Sequence, residues 1–490
     1  MSDTPPARKT LRLKPQARRT PPEDDQRPKR SGARARQAAL QERAQQARGE
    51  APDVPNAPAQ RADSADKRRG DTPRDHSARP RQPSDGSRHP GHPARKQERP
   101  RQPRSPQGAE THAVFAPCPH GLEDALALEL QALGYAGVQA GRAGCHFQAD
   151  WMGVMRANLY SRLATRILVQ VAQADVRTED DILALARQTE WERWFGPEHT
   201  LRVDTSAIHS PMRSLQYCNL RAKDGICDRL REREGERPSI DTVRPDARVH
   251  LFLDARQATL YLDVSGESLF KRGWRLDKGE APLRENLAAG LLALSDWTPD
   301  AALLDPFCGS GTILIEAAWI ALGVPPGIWR PFGFERLRTH EMRRWRDLKE
   351  DARARIAPQL DAPLVGSDIH PAAIEAARAN VERAHLSPGT IRFEICDARR
   401  MPPPAESGWI VTNPPYGERL GDHDSDLWPQ WATQLKQQYG GWQLNLITSD
   451  LDLPGQLRLK AKRRHPLHNG ALDCRLFQFD LVSAQYRDRP

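Results

Sequence analysis

The chain has 490 residues, a mean hydropathy of −0.72, 42 prolines and a formal net charge of +9. This length allows two or three domains, and no run approaches the roughly 18 apolar residues that a membrane-spanning helix needs. The N-terminus also lacks the apolar segment of a secretory signal. We therefore expect a soluble, cytoplasmic protein with no membrane partner.

The first 110 residues have the composition of a disordered tail. They contain no Phe, Trp, Tyr or Cys, and they hold 17 of the 42 prolines. They carry 26 Lys+Arg against 14 Asp+Glu, a net charge of +12, whereas the whole chain has +9, so residues 111–490 have −3. A segment this poor in large apolar groups cannot bury enough surface to offset its chain entropy. Its charge predicts either binding to an RNA polyanion or a solubilising role without a specific partner.

The seven cysteines are scattered along the chain without any C-x-x-C pair. This spacing predicts reduced thiols, and it favours neither a disulfide framework nor a zinc site. No residue is assigned to a metal.

Two α+β segments follow the tail. Residues 111–165 begin with a predicted strand at 112–116 and a helix that ends near Gly134, where the helical spacing of apolar residues stops. Residues 166–270 predict the order strand, helix, strand, helix and a hairpin with alternating apolar residues in both arms. Since this second segment carries no acidic pair, nucleophile or metal-ligand set, we interpret it as a binding domain.

Basic, amide and aromatic side chains cluster where the second helix of the 166–270 segment begins. They are Arg213, Gln216, Tyr217 and Lys223. This mixture is typical of RNA backbone and loop recognition, so we predict RNA contacts here. The alternative is an ordinary solvated helix face.

From residue 301 the pattern becomes strand, glycine turn and helix, repeated, which indicates a parallel, doubly wound sheet in a domain covering 271–490. A short strand at 302–304 precedes a turn that contains Gly309 and Gly311, and glycine allows a ligand to approach the backbone closely. The turn has neither the Lys-Ser/Thr pair of a phosphate loop nor the third glycine of a dinucleotide fingerprint. A nucleoside cofactor other than ATP or NAD is therefore favoured.

Acidic residues follow the next two predicted strands. Asp368 ends a strand at 363–367, where its carboxylate can accept both ribose hydroxyls of a nucleoside. It lies 57 residues after Gly311, where a plain fingerprint has about 20, so residues 323–361 are interpreted as an insertion. Asp397 follows a strand at 390–395 and is placed to hold an adenine amine. The alternative for each acid is a helix cap.

A fourth predicted strand, 409–412, delivers Asn413-Pro414-Pro415-Tyr416 to the same edge of the sheet. The Asn413 amide oxygen and the Pro414 carbonyl can each accept one N–H of an exocyclic base amine, which directs the nitrogen lone pair at an electrophilic methyl. The prolines stiffen the loop, and Tyr416 offers a ring on which an unstacked base can rest. The alternative is a proline-rich turn. Four strand ends in order favour S-adenosyl-L-methionine as the cofactor.

Residues from about 112 to 483 resemble the THUMP-domain class I S-adenosylmethionine-dependent methyltransferases that modify guanine N2 in bacterial large-subunit ribosomal RNA, the methyltransferase L type. The resemblance is carried by six motifs, which lie at 115–123, 272–274 with 281, 282 and 285, 304–312, 366–368, 412–421 and 474–477. The long tail is outside the pattern, and we expect no second methyltransferase domain of the kind fused in some relatives, so a single activity is expected.

The resemblance implies an α/β protein in which a class I, Rossmann-like methyltransferase domain follows a ferredoxin-like piece and a THUMP RNA-binding domain. It implies action on 23S ribosomal RNA or its large-subunit precursor, and we separately expect a monomer. The residues expected at the cofactor are Asp305, Phe307, Gly309, Gly311, Thr312, Asp368, Ile369 and Asp397. Those expected at the target base are Asn413, Pro414 and Tyr416.

Two other functions stay open. The same tetrapeptide can orient adenine N6 in RNA or DNA, although the N-terminal module favours RNA. The second alternative function is a non-catalytic RNA-binding assembly factor with a vestigial cofactor pocket. The presence of Asp368, Asp397 and Asn413 argues against this alternative.

Overall fold

The structure, a computed structural model, describes residues 110–276, 283–415 and 426–482. The predicted tail, apart from Glu110, lies outside these residues, and so does Tyr416. No helix among the described residues is long and apolar enough to cross a membrane.

The N-terminal module consists of eight strands and four helices. They are β1 (His112–Pro117), α1 (Glu123–Ala132), β2 (Gln139–Gly141), β3 (Gly144–Ala149), α2 (Trp151–Tyr160), β4 (Leu168–Asp175), α3 (Glu179–Gln188), β5 (Thr200–Ala207), α4 (Leu215–Glu234), β6 (Ser239–Ile240), β7 (Ala247–Leu253) and β8 (Gln257–Asp263). A 3₁₀ turn at Trp191–Arg193 follows α3.

Alternation along the strands explains how this module packs. In β7 every second residue, beginning with Ala247, is buried, while the residues between them are partly exposed. In this strand one face supplies the core, as the sequence pattern predicts, whereas β8 is buried at every position from Ala258 to Asp263. The strands form one sheet in the order β2-β3-β1-β4-β8-β7-β5-β6. The two segments that the sequence divides at residue 165 are thus joined by the antiparallel pair of β1 and β4, with Val114 opposite Val169.

The C-terminal domain contains a second sheet. Its elements are α5 (Glu285–Leu294), β9 (Leu303–Asp305), α6 (Thr312–Ala321), a 3₁₀ turn (Gly333–Arg336), α7 (Met342–Ala354), β10 (Leu364–Asp368), α8 (Pro371–Arg383), β11 (Arg392–Ile395), β12 (Trp409–Thr412), α9 (Leu427–Gln438), β13 (Gln443–Thr448), α10 (Leu453–Gln456), β14 (Arg463–Asn469) and β15 (Leu472–Asp480).

The seven strands of this sheet have the order β11-β10-β9-β12-β13-β15-β14. β9 lies between β10 and β12 and is parallel to both, and only the two C-terminal strands run antiparallel to their neighbours. All three residues of β9 are buried, as expected for a central strand covered on both faces. The predicted α/β fold with a preceding α+β module is confirmed. The insertion expected at 323–361 holds the 3₁₀ turn and α7.

A buried ion-pair cluster joins the module to the C-terminal domain. The Arg272 Nε atom lies 3.2 Å from the Glu316 Oε1 atom, and the two side chains are 1% and 0% exposed. Arg272 also donates to the carbonyl oxygen of Arg162, at 2.6 Å, and the Arg162 Nη1 atom lies 3.8 Å from the second oxygen of Glu316. Because Glu316 lies on α6, this cluster connects the N-terminal module with the helix that follows the glycine turn.

Candidate active site

The candidate site lies at the carboxyl edge of the second sheet. β9 is the first strand of this sheet in the chain, and its two neighbours, β10 and β12, come later. The chain first adds β10 and β11 on one side of β9 and then crosses to add β12 on the other side. Such a reversal of strand order opens a crevice at the carboxyl ends of the strands. The residues that directly follow β9, β10 and β12 meet at this crevice.

The turn after β9 needs its two glycines. Gly309 and Gly311 have φ angles of 50° and 78°, in the left-handed region that favours glycine. A Cβ atom on Gly311 would lie 3.2 Å from both the Ala377 Cβ atom and the Phe393 Cζ atom. The turn is closed by a 2.8 Å hydrogen bond from the Gly311 amide to the Cys308 carbonyl, and α6 then begins at Thr312. The backbone of the turn is thus packed tightly against the neighbouring helix and strand.

Asp368 connects this turn to β10. Its Oδ2 atom accepts the Gly309 amide at 3.1 Å, and its Oδ1 atom accepts the His370 amide at 3.0 Å. Each oxygen keeps a second lone pair for a ligand hydroxyl. The next residue, Ile369, is 54% exposed although it is apolar, so it offers an uncovered surface beside the carboxylate. The structure therefore brings Asp368, Ile369 and the glycine turn together, as the sequence reasoning expected.

Asp397 has a different set of contacts. Its carboxylate accepts hydrogen bonds from the Arg399 Nε–H group at 2.9 Å and from the Arg399 main-chain amide at 2.8 Å. The Arg399 guanidinium lowers the pKa of this carboxyl below its ordinary value. Arg399 also donates to Gln430 on α9 at 3.2 Å. An adenine amine, the partner expected from the sequence, would have to share the carboxylate with Arg399, a neighbour that the sequence reasoning missed.

Asp305 is buried beneath the crevice rather than open to it. It is 2% exposed, and its Oδ1 atom accepts the Thr412 hydroxyl at 2.6 Å and the Phe307 amide at 3.2 Å. Burial raises its pKa to about 7, and the nearby charge of Asp368 acts in the same direction. The contacts of Asp305 within the described chain are thus structural. The sequence pattern gave no role to its partner Thr412, although the motif at 412–421 begins there.

Phe307 closes one side of the turn with its ring. The ring meets Trp431 edge to face, with centroids 5.1 Å apart, and Trp428 lies 6.1 Å away. Both tryptophans belong to α9. Cys308 is 6% exposed, and burial raises its pKa well above the ordinary value, so the thiol is not activated as a nucleophile.

Asn413 follows β12 directly, and its amide oxygen is the most informative atom of the site. The Oδ1 atom is buried but finds no hydrogen-bond partner in the part of the chain that the structure describes. A buried acceptor without a partner costs about 1–3 kcal/mol, and at this crevice a ligand N–H could supply the missing hydrogen bond. Pro414 is buried beside it. No group of three or more potential metal ligands occurs among the described residues.

The predicted RNA-binding residues lie where α4 begins. The Ser214 hydroxyl caps this helix by accepting the Tyr217 amide at 3.2 Å, and Tyr217 is 48% exposed. Arg213 and Gln216 are also exposed. Lys223 lies seven residues after Gln216, on the same side of the helix, and its ammonium group is paired with Asp224 at 2.8 Å. Three of the four side chains are thus presented to solvent, and the fourth is engaged by a neighbour.

Three family models match the chain. One described as the RlmL ferredoxin-like domain matches residues 113–168, a THUMP domain model matches 176–263, and UPF0020, described as the RMKL-like methyltransferase domain, matches 272–478. A possible methylase from Clostridium difficile 630 is 31% identical and has a TM-score of 0.71; the match covers 76% of this chain and 99% of that one. The chain belongs to the RlmL-type family of THUMP methyltransferases. The resemblance drawn from the sequence is confirmed for the family and for its S-adenosylmethionine-dependent class.

Two further relatives of this RlmL-type chain extend the comparison. The ribosomal RNA large subunit methyltransferase K/L of Methylococcus capsulatus is 40% identical over 385 residues, which are 77% of this chain and 52% of that protein. The chain thus spans about half the length of the curated relatives it matches. The structure of SMU.472 complexed with SAH is 27% identical, with a TM-score of 0.69 over 76% of this chain and 98% of that one.

Proposed function

We propose that this chain transfers a methyl group from S-adenosyl-L-methionine to the exocyclic N2 amine of a guanine in 23S ribosomal RNA. The observation that carries the proposal is the buried, unpartnered Oδ1 atom of Asn413 at the end of β12. An acceptor at this place is suited to an N–H of a base amine that approaches the crevice. The relatives named large subunit ribosomal RNA methyltransferases support ribosomal RNA as the substrate.

The crevice beside β9 is proposed to hold the cofactor. When bound, S-adenosyl-L-methionine supplies an electrophilic methyl group on a sulphonium. Asp368 would accept the ribose hydroxyls with the lone pairs that the Gly309 and His370 amides leave unused. The exposed Ile369 would contact one face of the adenine, and Asp397, together with Arg399, would lie near its edge. The backbone of the glycine turn, at Gly309 and Gly311, would approach the cofactor most closely because neither residue has a side chain.

The target amine would be oriented by the loop after β12. Its nitrogen is a weak nucleophile because its lone pair is delocalised into the base. Two acceptors, the Asn413 Oδ1 atom and the Pro414 carbonyl oxygen, would each bind one N–H and turn the lone pair toward the methyl group. The nitrogen–carbon bond forms as the carbon–sulphur bond breaks, and the amine then loses one proton to solvent. Tyr416, by the sequence motif, would stack on the unstacked base.

The N-terminal module is proposed to bind the RNA. Arg213, Gln216 and Tyr217 combine charge, hydrogen bonding and a stacking surface at the exposed start of α4, and Lys223 extends this surface along the helix. Ribosomal RNA, free or in a large-subunit precursor, would place the reaction in the cytoplasm. The chemistry as proposed requires one copy of the chain and no metal.

Adenine N6 is the second candidate acceptor, since the amide and carbonyl can orient either amine. The experiment that separates the two bases uses the full chain, unmodified 23S ribosomal RNA and cofactor labelled in the methyl group, followed by digestion and mass spectrometry of the nucleosides. We expect N2-methylguanosine. Label in N6-methyladenosine would instead make adenine N6 the methyl acceptor. Cofactor binding without any methyl transfer would favour an assembly factor.

The role of Asn413 is tested with Asn413→Ala. We expect turnover to fall by about 10²- to 10³-fold, the cost of losing one oriented transition-state contact, with cofactor affinity changed less than about threefold. Asn445→Ala is the matched control, because Asn445 is a buried amide on the neighbouring strand β13 whose oxygen accepts Gln478 at 3.0 Å. Near-normal turnover by Asn413→Ala would refute the assignment.

A further inference from the structure

A buried side-chain hydrogen bond joins β12, the strand that ends just before Asn413, to β9 beyond their backbone pairing. β9 and β12 are parallel neighbours, with Ile410 opposite Leu304, and each strand ends within two residues of this pair. Beyond the last paired residues, the Thr412 hydroxyl donates to the Asp305 Oδ1 atom at 2.6 Å. Thr412 is 0% and Asp305 2% exposed, so water does not compete for this contact.

The same carboxylate also orders the cofactor turn. The Asp305 Oδ1 atom accepts the Phe307 amide at 3.2 Å, and two residues later the Gly309 amide donates to Asp368 on β10 at 3.1 Å. Thr412, Asp305, the turn and Asp368 therefore connect three adjacent strands through hydrogen bonds. A displacement of Thr412 would be transmitted to both sides of the crevice.

Thr412 immediately precedes Asn413, whose buried amide oxygen has no partner among the described residues. The amide is therefore not held by a hydrogen bond of that oxygen, and its position depends on the backbone that carries it. A shift of about 1 Å in a reacting group can lower a rate by about two orders of magnitude. The hydroxyl of Thr412 lies one residue from the group whose position matters most.

We propose that Thr412 is a positioning residue for methyl transfer: its hydroxyl, bound to Asp305, fixes the Asn413 amide relative to the glycine turn. This inference rests on the proposed function. Thr412 touches neither the cofactor nor the base in this account, and it acts through Asp305. A threonine is required for its hydroxyl, so a residue of equal shape without that group will not replace it.

The test measures kcat and the KM for S-adenosylmethionine of the full chain carrying Thr412→Val, Thr412→Ala or Thr412→Ser. We expect valine and alanine to lower kcat about ten- to a hundredfold with KM changed less than about threefold. Serine keeps the hydroxyl and should restore kcat to within about threefold of the wild type. Wild-type kcat in either the valine or the alanine variant, or a serine variant as slow as valine, would overturn the proposal.

Thr448→Val is the matched control. Thr448 is a buried threonine that ends the adjacent parallel strand β13, and its hydroxyl oxygen accepts the Asp450 amide at 2.9 Å. We expect this variant to keep kcat within about threefold. An equal loss in Thr448→Val and Thr412→Val would attribute the effect to general loosening of the sheet edge and overturn the specific role.

A double-mutant cycle tests whether Thr412 acts through Asp305. In an Asp305→Ala background the further change Thr412→Val should lower kcat by less than about threefold, because the side chain that accepts the Thr412 hydroxyl is already gone. The same loss in both backgrounds would contradict the coupling. The kcat ratios of variant to wild type are measured on whichever nucleic acid the wild-type protein methylates, so a wrong base assignment leaves this test intact. If the wild-type protein methylates no nucleic acid, both proposals are overturned.

Discussion

Glu316→Gln is expected to weaken the junction between the N-terminal module and the methyltransferase domain. Glu316 is fully buried on α6, and the Arg272 guanidinium beside it is 1% exposed. Arg272 keeps two main-chain acceptors, the carbonyls of Leu269 at 2.7 Å and of Arg162 at 2.6 Å. The substitution preserves shape and one acceptor oxygen, yet it leaves two buried arginine charges without their counter-ion. Removing one partner of a buried pair costs about 3–5 kcal/mol. We expect about 3 kcal/mol here, because the amide oxygen still accepts one hydrogen bond.

The assay for Glu316→Gln is urea unfolding of the full chain, followed by tryptophan fluorescence. Glu267→Gln is the control, because Glu267 pairs with Lys271 at the surface, where the two side chains are 64% and 59% exposed. Such a pair contributes about 0–1 kcal/mol. A loss below about 1 kcal/mol for Glu316→Gln, or equal losses in the two variants, would refute the inference that the buried charge cluster joins the two parts.

Three further predictions follow from single residues. Gly311→Ala should weaken cofactor binding at least tenfold in calorimetry, because alanine is strained at a left-handed φ of 78° and its Cβ atom, 3.2 Å from the Ala377 Cβ atom, would shift the turn; unchanged affinity would contradict this role of the turn. Burial raises the pKa of Asp305 from 3.8 to about 7 in the folded state, so the folded chain binds this proton more tightly than the unfolded chain. The stability contributed by this carboxyl is therefore complete below about pH 4 and is lost as the pH rises through 7. The melting temperature of the wild type should fall over that range relative to the melting temperature of Asp305→Asn. If the melting temperatures of the two proteins changed with pH in parallel, the raised pKa of Asp305 would be excluded. Tyr217→Ala should reduce RNA affinity several-fold with unchanged cofactor binding, because one stacking surface contributes about 1–3 kcal/mol; equal RNA affinity would place the RNA elsewhere.

The parts of the site that could be predicted from sequence are those whose chemistry is local. Asn413 was identifiable from its neighbouring prolines, and the glycine turn from its two glycines after a strand. Asp368 was identifiable because strand ends of a parallel sheet meet at one edge. In each case a few adjacent residues contain both the conformational requirement and the functional group.

The contacts that the sequence reasoning missed depend on register and long-range pairing. Thr412 and Asp305 are 107 residues apart, and their hydrogen bond exists only because β9 and β12 are neighbours in the sheet. The pairing of β1 with β4, which joins the two α+β segments into one sheet, likewise depends on strand order, which hydrophobic alternation does not encode. Arg399 was also missed, but it could have been recognised from the sequence, because an arginine two residues after Asp397 is a local partner for that carboxylate.

The basic run at 458–464 shows how structure refines an open alternative. From the sequence alone, this run fits either an RNA contact or a charged strand edge. Arg463 and Arg464 begin β14, the last strand of the second sheet, and Arg463 pairs with Asp296 at 3.3 Å. Positive charge on an edge strand discourages pairing with another chain, so these two residues fit the edge role.

The central claim is that the loop after β12 directs methylation of guanine N2 in 23S ribosomal RNA. It is tested most directly by mass spectrometry of 23S nucleosides from a strain that lacks this chain, complemented with either the wild type or Asn413→Ala. The account predicts that one N2-methylguanosine is lost, is restored by the wild type and is not restored by Asn413→Ala. An unchanged N2-methylguanosine content in the strain without the chain, or full restoration by Asn413→Ala, would contradict it.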